Sequence, residues 1–164
     1  MIRSCGNTSM TNDNQDLLDQ VERDFCFLTD DHAFVAGPPQ RSGDMTMVRY
    51  EHPHLIIQYT MRQGDWQALV WPAATQMQAG QVTLDDVATY LTRPPVDFAA
   101  DQARPGLSQS EALSDLAGRL TPVIGEMLAL FEPARWPATW ADMQTVLQTY
   151  RAERSRQFDE WRRN

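Results

Sequence analysis

Three consecutive runs, residues 45–50, 55–60 and 66–71, alternate their side chains with a period of two. Only Glu51-His52-Pro53-His54 and Arg62-Gln63-Gly64-Asp65 separate the strong parts of these runs. That period selects β structure, and connections this short join only antiparallel neighbours, so the region predicts an antiparallel meander. Ala33-Phe34-Val35-Ala36 adds a short fourth strand, stopped by Gly37-Pro38-Pro39. In the third run Trp66, Ala68 and Val70 face one way, and Gln67, Leu69 and Trp71 the other. Neither face is fully polar, which predicts a helix or a second chain over part of each.

On both sides of the meander the period lengthens to that of a helix. Leu17, Leu18, Val21, Phe25 and Leu28 predict a helix over residues 13–28, capped by Asn12 or Asp13 and ended by Asp30-Asp31. After the meander, Thr83-Leu84-Asp85-Asp86 carries an N-terminal helix signature, and Arg93-Pro94-Pro95 closes that helix. Residues 96–107 read as a loop containing Pro105-Gly106. Ser108-Gln109-Ser110-Glu111 then reads as a capping box. Leu113, Leu116, Ala117 and Leu120 continue that helix until Pro122 kinks it or opens a new one capped by Thr121. The last predicted helix starts at Thr139 and packs through Trp140, Met143, Val146, Leu147 and Tyr150. Beyond Tyr150 its apolar stripe thins to Phe158 and Trp161, so its last third is expected to project or to meet a partner.

The pattern predicts an α+β fold: an N-terminal helix, a meander of three to four antiparallel strands, then three to four C-terminal helices. At 164 residues one domain is expected. We read residues 1–11 as a flexible leader and 12–164 as the single domain. Cys5 lies in that polar leader, and Cys26 reads as a small hydrophobe packed near a helix end. No apolar run has signal-peptide or membrane-spanning length, so the expected location is cytoplasmic, away from any membrane.

Charge narrows the function classes. All 14 basic residues are arginine, which excludes chemistry that needs a lysine amine: a Walker A phosphate loop or a Schiff base. A net charge of −8 argues against general nucleic-acid binding, which requires a positive contact face. Arg151, Arg154, Arg156, Arg162 and Arg163 make a basic stretch on this acidic chain. It reads as a favourable helix C-terminus, as a contact with an acidic helix, a partner or a second copy, or as a phosphate or nucleic-acid contact. Trp161, set among those arginines, is the tryptophan expected to be exposed, whereas Trp66, Trp71 and Trp140 are expected in the core.

Catalytic signatures are missing. No Cys-x-x-Cys, His-Glu-x-x-His, Gly-x-Ser-x-Gly or Gly-x-Gly-x-x-Gly occurs. Asn12-Asp13-Asn14-Gln15-Asp16 begins like a calcium loop but has Leu17 where glycine is needed and Arg23 where the bidentate glutamate belongs. His52 and His54 flank Pro53 and read as exposed turn histidines. No catalytic, cofactor or metal residue is therefore assigned.

Several segments together carry a resemblance: the acidic first helix, Met61-Arg62-Gln63-Gly64-Asp65-Trp66, the Thr-Leu-Asp-Asp helix, Leu130-Phe131-Glu132-Pro133-Ala134-Arg135-Trp136 and the arginine-rich last helix. Residues 14–163 resemble small bacterial proteins grouped with the immunity proteins of polymorphic toxin systems. The resemblance implies a single-domain protein that binds and neutralises a cognate toxin, and it transfers no contact residue. The expected function is thus a non-enzymatic protein-binding module, with a basic toxin domain as a candidate partner. Asp13, Asp16, Asp19, Glu22, Asp30, Asp31, Arg154 and Trp161 are the candidate contact residues, and a homodimer through the C-terminal helix is a further candidate. Asp85, Asp86, Asp97 and Asp101 form a second acidic cluster. The alternative is a small-ligand protein or enzyme with a pocket between sheet and helices.

Overall fold

In the computed structural model, which describes residues 9–75, 80–103 and 106–163, the three alternating runs form the centre of an antiparallel sheet. They are β3 (Met45–Glu51), β4 (Leu55–Arg62) and β5 (Asp65–Pro72). Short strands flank them: β1 (Val35–Ala36) and β2 (Gln40–Ser42) both pair with β3, and β6 (Val82–Thr83) pairs with β5. Val48 opposes Tyr59 and Tyr59 opposes Ala68, so one row of side chains crosses the sheet on its inner face. The β4–β5 turn needs a left-handed backbone at both central positions, Gln63 (φ 54°) and Gly64 (φ 78°), with Arg62 paired to Asp65. That is the two-residue hairpin whose twist matches the strands it joins.

The remaining elements are α1 (Ser9–Asp24), α2 (Cys26–Asp31), α3 (Leu84–Thr92), α4 (Phe98–Ala103), α5 (Gln109–Leu120), α6 (Ile124–Leu130) and α7 (Trp136–Trp161). The fold is α+β, as the change of period predicts. Helix α1 lies on β3 and β4, and α3 lies on β5 and β6. Helix α5 sits between α1 and α3, and α7 packs against the other side of α3. Leu17, Leu18, Val21, Leu113, Leu116, Val87 and Leu147 bury their stripes against Val48, Tyr50, Ile57, Tyr59, Met61 and Val70 in one core. Burying each such side chain is worth about 1.5–3 kcal/mol, which is why the helices share one face of the sheet. The other face presents Met47, Arg49, Gln58, Thr60, Gln67 and Leu69.

Several boundaries differ from the sequence expectation, each for a tertiary reason. Helix α1 is already formed at Ser9, inside the segment read as leader, so Asn12 and Asp13 are helix interior rather than caps. Its first turns are held by Asn14, whose Nδ2 donates to the Asp44 carbonyl (2.8 Å) and whose Oδ1 accepts from Gly64 N–H (3.2 Å). One buried amide thereby ties two hairpin turns to α1. The same helix absorbs the segment that began like a calcium loop. The predicted single helix breaks at Phe25, whose fully buried ring packs on Tyr59 at 5.0 Å while its backbone leaves helical dihedrals. Cys26, next to that break, is exposed rather than packed. Residues 1–8, Cys5 among them, and Pro105 lie outside the described residues.

In the second half, Thr83 accepts from Asp86 N–H at 3.0 Å and Ser108 with Glu111 forms the reciprocal capping box, both as predicted. Pro122 sits in a single 3-10 turn, Thr121–Val123, between α5 and α6. The segment read as a loop contains α4. Helix α7 begins three residues before Thr139, because Trp136 stacks on Phe131 (4.4 Å) and Pro137 is tolerated in a first turn. Trp71 is buried as expected, but Trp66 and Trp140 are only half-buried, and Trp136 takes the deeper place.

Candidate functional site

Burial of Leu17, Leu18 and Val21 turns the opposite side of α1 to solvent, and that side is acidic. Asp13, Asp16, Asp19 and Glu22 are all exposed, and Asp30 and Asp31 on α2 join them. Within residues 13–31 there are seven carboxylates and one arginine, Arg23. Arg23 pairs with Asp24 at 3.2 Å. Asp24 also accepts from Ser114 (2.6 Å) and Gln20 (3.1 Å) and faces α5. Burial acts to raise its pKa, and hydrogen bonds from Ser114, Gln20 and Arg23 outweigh that and lower it. The other six make no ion pair among the described residues. Asp19 has only the amide of Gln15, and Asp30 only the hydroxyl of Thr29.

The second acidic cluster behaves differently. Asp85 pairs with Arg119 (2.5 Å), Asp86 with Arg151 (3.1 Å) and Asp101 with Arg154 (3.0 Å). Asp97 caps α4 through Ala100 N–H at 2.9 Å. These carboxylates fasten α3, α4, α5 and α7 to one another. Two acidic clusters of similar composition thus differ in pairing, one matched mostly by arginines of neighbouring helices and one left without ion pairs among the described residues.

Helix α7 reaches 26 residues, about 39 Å at 1.5 Å per residue, and its last third does not simply project. Tyr150 donates to the Pro94 carbonyl (2.7 Å). Gln157 accepts from Phe98 N–H (2.8 Å) and donates to the Val96 carbonyl (2.9 Å), clamping the backbone that leads into α4. Phe98 is buried against Phe158 and Trp161 at ring-centroid distances of 5.4 and 5.9 Å. Arg154, a predicted contact residue, is engaged within the chain: it pairs with Asp101 and lies over the Phe98 ring at 5.7 Å. Trp161 remains 51% exposed and Phe158 38%. The structure therefore keeps Trp161 and the six α1–α2 carboxylates at the surface but on different elements, α7 and α1 flanking the helical layer. Sequence reasoning missed Gln157 and Phe98, since a lone amide and a lone aromatic in a presumed loop give no periodic signal.

The three histidines come together. His52 and His54 are half-buried, with rings edge-on at 5.1 Å, and His54 N–H donates to His52 Nδ1 (3.1 Å). His54 Nδ1 meets the Leu128 carbonyl of α6 at 3.1 Å, and Phe34 stacks near His52 at 5.0 Å. Burial lowers the His52 pKa below 6.5, assisted by the neighbouring His54 and His32. They are therefore not the exposed turn residues expected from Pro53. Among the described residues no three His, Cys, Asp or Glu side chains converge to hold a metal ion.

Between sheet and helices Phe25, Leu55, Tyr59, Met61, Leu84, Leu113 and Met127 are completely buried. An open recess of about 900 Å³ lies at the β4–β5 end of the sheet, lined by Met45, Thr60, Arg62, Asp65 and Gln67. No described helix is long and apolar enough to cross a membrane. Comparison with protein-family models, curated proteins and solved structures finds no match to this chain.

Proposed function

We propose that this chain is a non-enzymatic protein-binding module that presents the carboxylates of α1 and α2 to a basic protein surface, as an immunity protein does toward its toxin. One observation carries the reading. Asp13, Asp16, Asp19, Glu22, Asp30 and Asp31 stand exposed without ion pairs among the described residues, while Asp85, Asp86 and Asp101 are matched by arginines. Like charges one helical turn apart repel, so an uncompensated row is retained against its own cost. Such a row steers a cationic partner and speeds encounter, whereas its removal changes mainly the association rate. The net charge of −8 extends the same field over the molecule.

The test begins with the product of the reading frame adjacent to this gene, purified and titrated against the protein by calorimetry and by an assay of its toxicity. The expected result is binding with neutralisation, and an association rate that falls steeply with salt. The variant Asp13→Asn/Asp16→Asn/Asp19→Asn/Glu22→Gln should associate roughly 10- to 100-fold more slowly at low ionic strength. A partner that binds with unchanged rate and salt dependence in that variant would remove the acidic face from the interface. Absence of binding to the neighbour's product removes the immunity reading.

A further inference from the structure

We propose that the turn between β3 and β4 is an acid-operated latch, in which protonation of His52 frees His54 and loosens the C-terminal end of α6 from the sheet. The latch works whether or not the α1–α2 carboxylates meet a partner.

His52 and Leu55 close the turn with paired backbone hydrogen bonds (2.9 and 3.2 Å), leaving Pro53 and His54 as its central residues. The His54 amide donates back into the turn, to His52 Nδ1 at 3.1 Å. An amide can only donate, so His52 Nδ1 is bare and the ring proton sits on Nε2. The His54 ring reaches the other way, and its Nδ1 meets the Leu128 carbonyl at 3.1 Å. A carbonyl can only accept, so His54 Nδ1 carries the proton. Two histidines two residues apart therefore hold opposite tautomers. Their bonds respond differently to a second proton: His54 donates from Nδ1 in either charge state, whereas protonated His52 has no lone pair left for the amide.

The His54 bond matters to α6. Leu128 lies in the last turn of that helix, where carbonyls lack helical partners. The amide that a continued helix would offer it, Glu132 N–H, goes to the Ala129 carbonyl instead (3.5 Å). Among the described residues the His54 ring makes the only side-chain hydrogen bond to α6. The helix otherwise packs chiefly on α3 and on the 3-10 turn before it.

The surroundings turn one proton on His52 into a movement. Its half-buried ring lies 5.0 Å from the buried Phe34. The charged groups that act on it are His54 and His32, both of like sign when protonated, and no carboxylate is among them. Asp30 and Asp31 end α2, Glu51 ends β3, and Glu126 and Glu132 lie on and just after α6. A proton at His52 Nδ1 thus breaks the amide bond and meets only like charge, and the ring relieves both by turning toward water. Pro53 has a fixed φ, so the freed His54 peptide is the part that moves, and the ring capping Leu128 moves with it.

Nitrogen-15 NMR of the full chain from about pH 7.5 to about pH 4.5 tests the latch. At the upper end the ring nitrogens should show opposite tautomers for His52 and His54. On acidification the amides of His54, Phe131 and Glu132 should shift with one common midpoint, that of the His52 ring. The nuclear Overhauser contact between the His54 ring and Leu128 should be lost over the same range, while the amides of β5 and α5 hold their positions. His52→Asn, whose side-chain oxygen accepts at every pH, should keep that contact and leave the three amides unmoved. His54→Ala, with an unchanged circular dichroism spectrum, should keep the response at residue 54 and abolish it at Phe131 and Glu132. Like tautomers on the two rings, or no shift across the range, overturn the proposal. So does a response that persists in His52→Asn, since the proton then acts elsewhere. A turn that responds while Phe131 and Glu132 do not also overturns it, since His54 then links nothing to α6. No partner enters these measurements, so their failure is distinct from failure of the binding function.

Discussion

Tyr59 shows how a single polar atom can be left over by an otherwise consistent core. Its ring is fully buried and packs on Phe25 (5.0 Å) and Tyr50 (5.9 Å), yet its hydroxyl has no hydrogen-bond partner among the described residues. Burial holds its pKa well above the usual tyrosine value, so the group is a neutral, desolvated hydroxyl. An unsatisfied buried polar group costs about 1–3 kcal/mol, so Tyr59→Phe should stabilise the protein by about 1 kcal/mol in urea denaturation. A loss of stability would mean that the hydroxyl holds a buried water.

His52 offers a second residue-scale test. Its Nδ1 accepts the His54 amide, a bond that only an unprotonated ring nitrogen can make. Because its folded pKa lies below the unfolded 6.5, the unfolded chain binds more protons as the pH falls. Stability is therefore complete above pH 6.5 and declines as the pH drops from there through the folded value. Asp24 adds a separate window: its lowered pKa stabilises above about 3.8, and that contribution disappears only in stronger acid. His52→Asn retains an acceptor that does not titrate. Its unfolding free energy, compared with wild type from about pH 7.5 down to about pH 2, should lose the upper slope and keep the acid limb.

At the scale of elements, local signals and tertiary contacts divided the work. Caps were legible because they are local: Thr83 and Ser108 each satisfy a backbone amide three residues ahead. Thr83→Ala should cost about 1 kcal/mol by chemical denaturation and Thr83→Ser much less, because the hydroxyl is the part that caps. Strand faces were legible too, since alternation determines which residues share a side. What escaped were the short elements and the breaks. Strands β2 and β6 are three and two residues long and exist because β3 and β5 offer paired edges. Helix α4 exists beside α7 because Gln157 holds its approach and Phe98 fits between Phe158 and Trp161. No periodicity in six residues announces such a helix.

Over the whole molecule, the placement of charge is more informative than its total. Helix α7 is rich in arginine, but three of its cations are spent on Asp86, Asp101, Glu153 and Glu160. Direct hydrogen bonding from Arg156, then from Gln157, lowers the Glu153 pKa to about 2, so that carboxylate stays ionised through the physiological range. Among the described residues the α1–α2 flank has one ion pair, Arg23 with Asp24, and none at Asp13, Asp16, Asp19, Glu22, Asp30 or Asp31. Neutralising Asp13, Asp16, Asp19 and Glu22 together should raise the melting temperature at low ionic strength, and about 0.5 M salt should erase most of the gain. A melting temperature that falls, or a gain insensitive to salt, would show that the row is internally stabilised rather than held for a partner.

The sequence by itself determined the α+β class, the antiparallel meander, the caps at Thr83 and Ser108 and an overall negative field. Each of these depends on spacing along the chain or on a sum over it. Only the tertiary structure decided which acidic cluster is unpaired among the described residues, that Arg154 is occupied, that His54 meets α6, and that Phe98 lies beneath the exposed Trp161. Those outcomes depend on which distant side chain arrives within a few ångströms. Asp86 is neutralised because α7 brings Arg151 to it from 65 residues away, and nothing near Asp16 in the sequence says that no arginine will come.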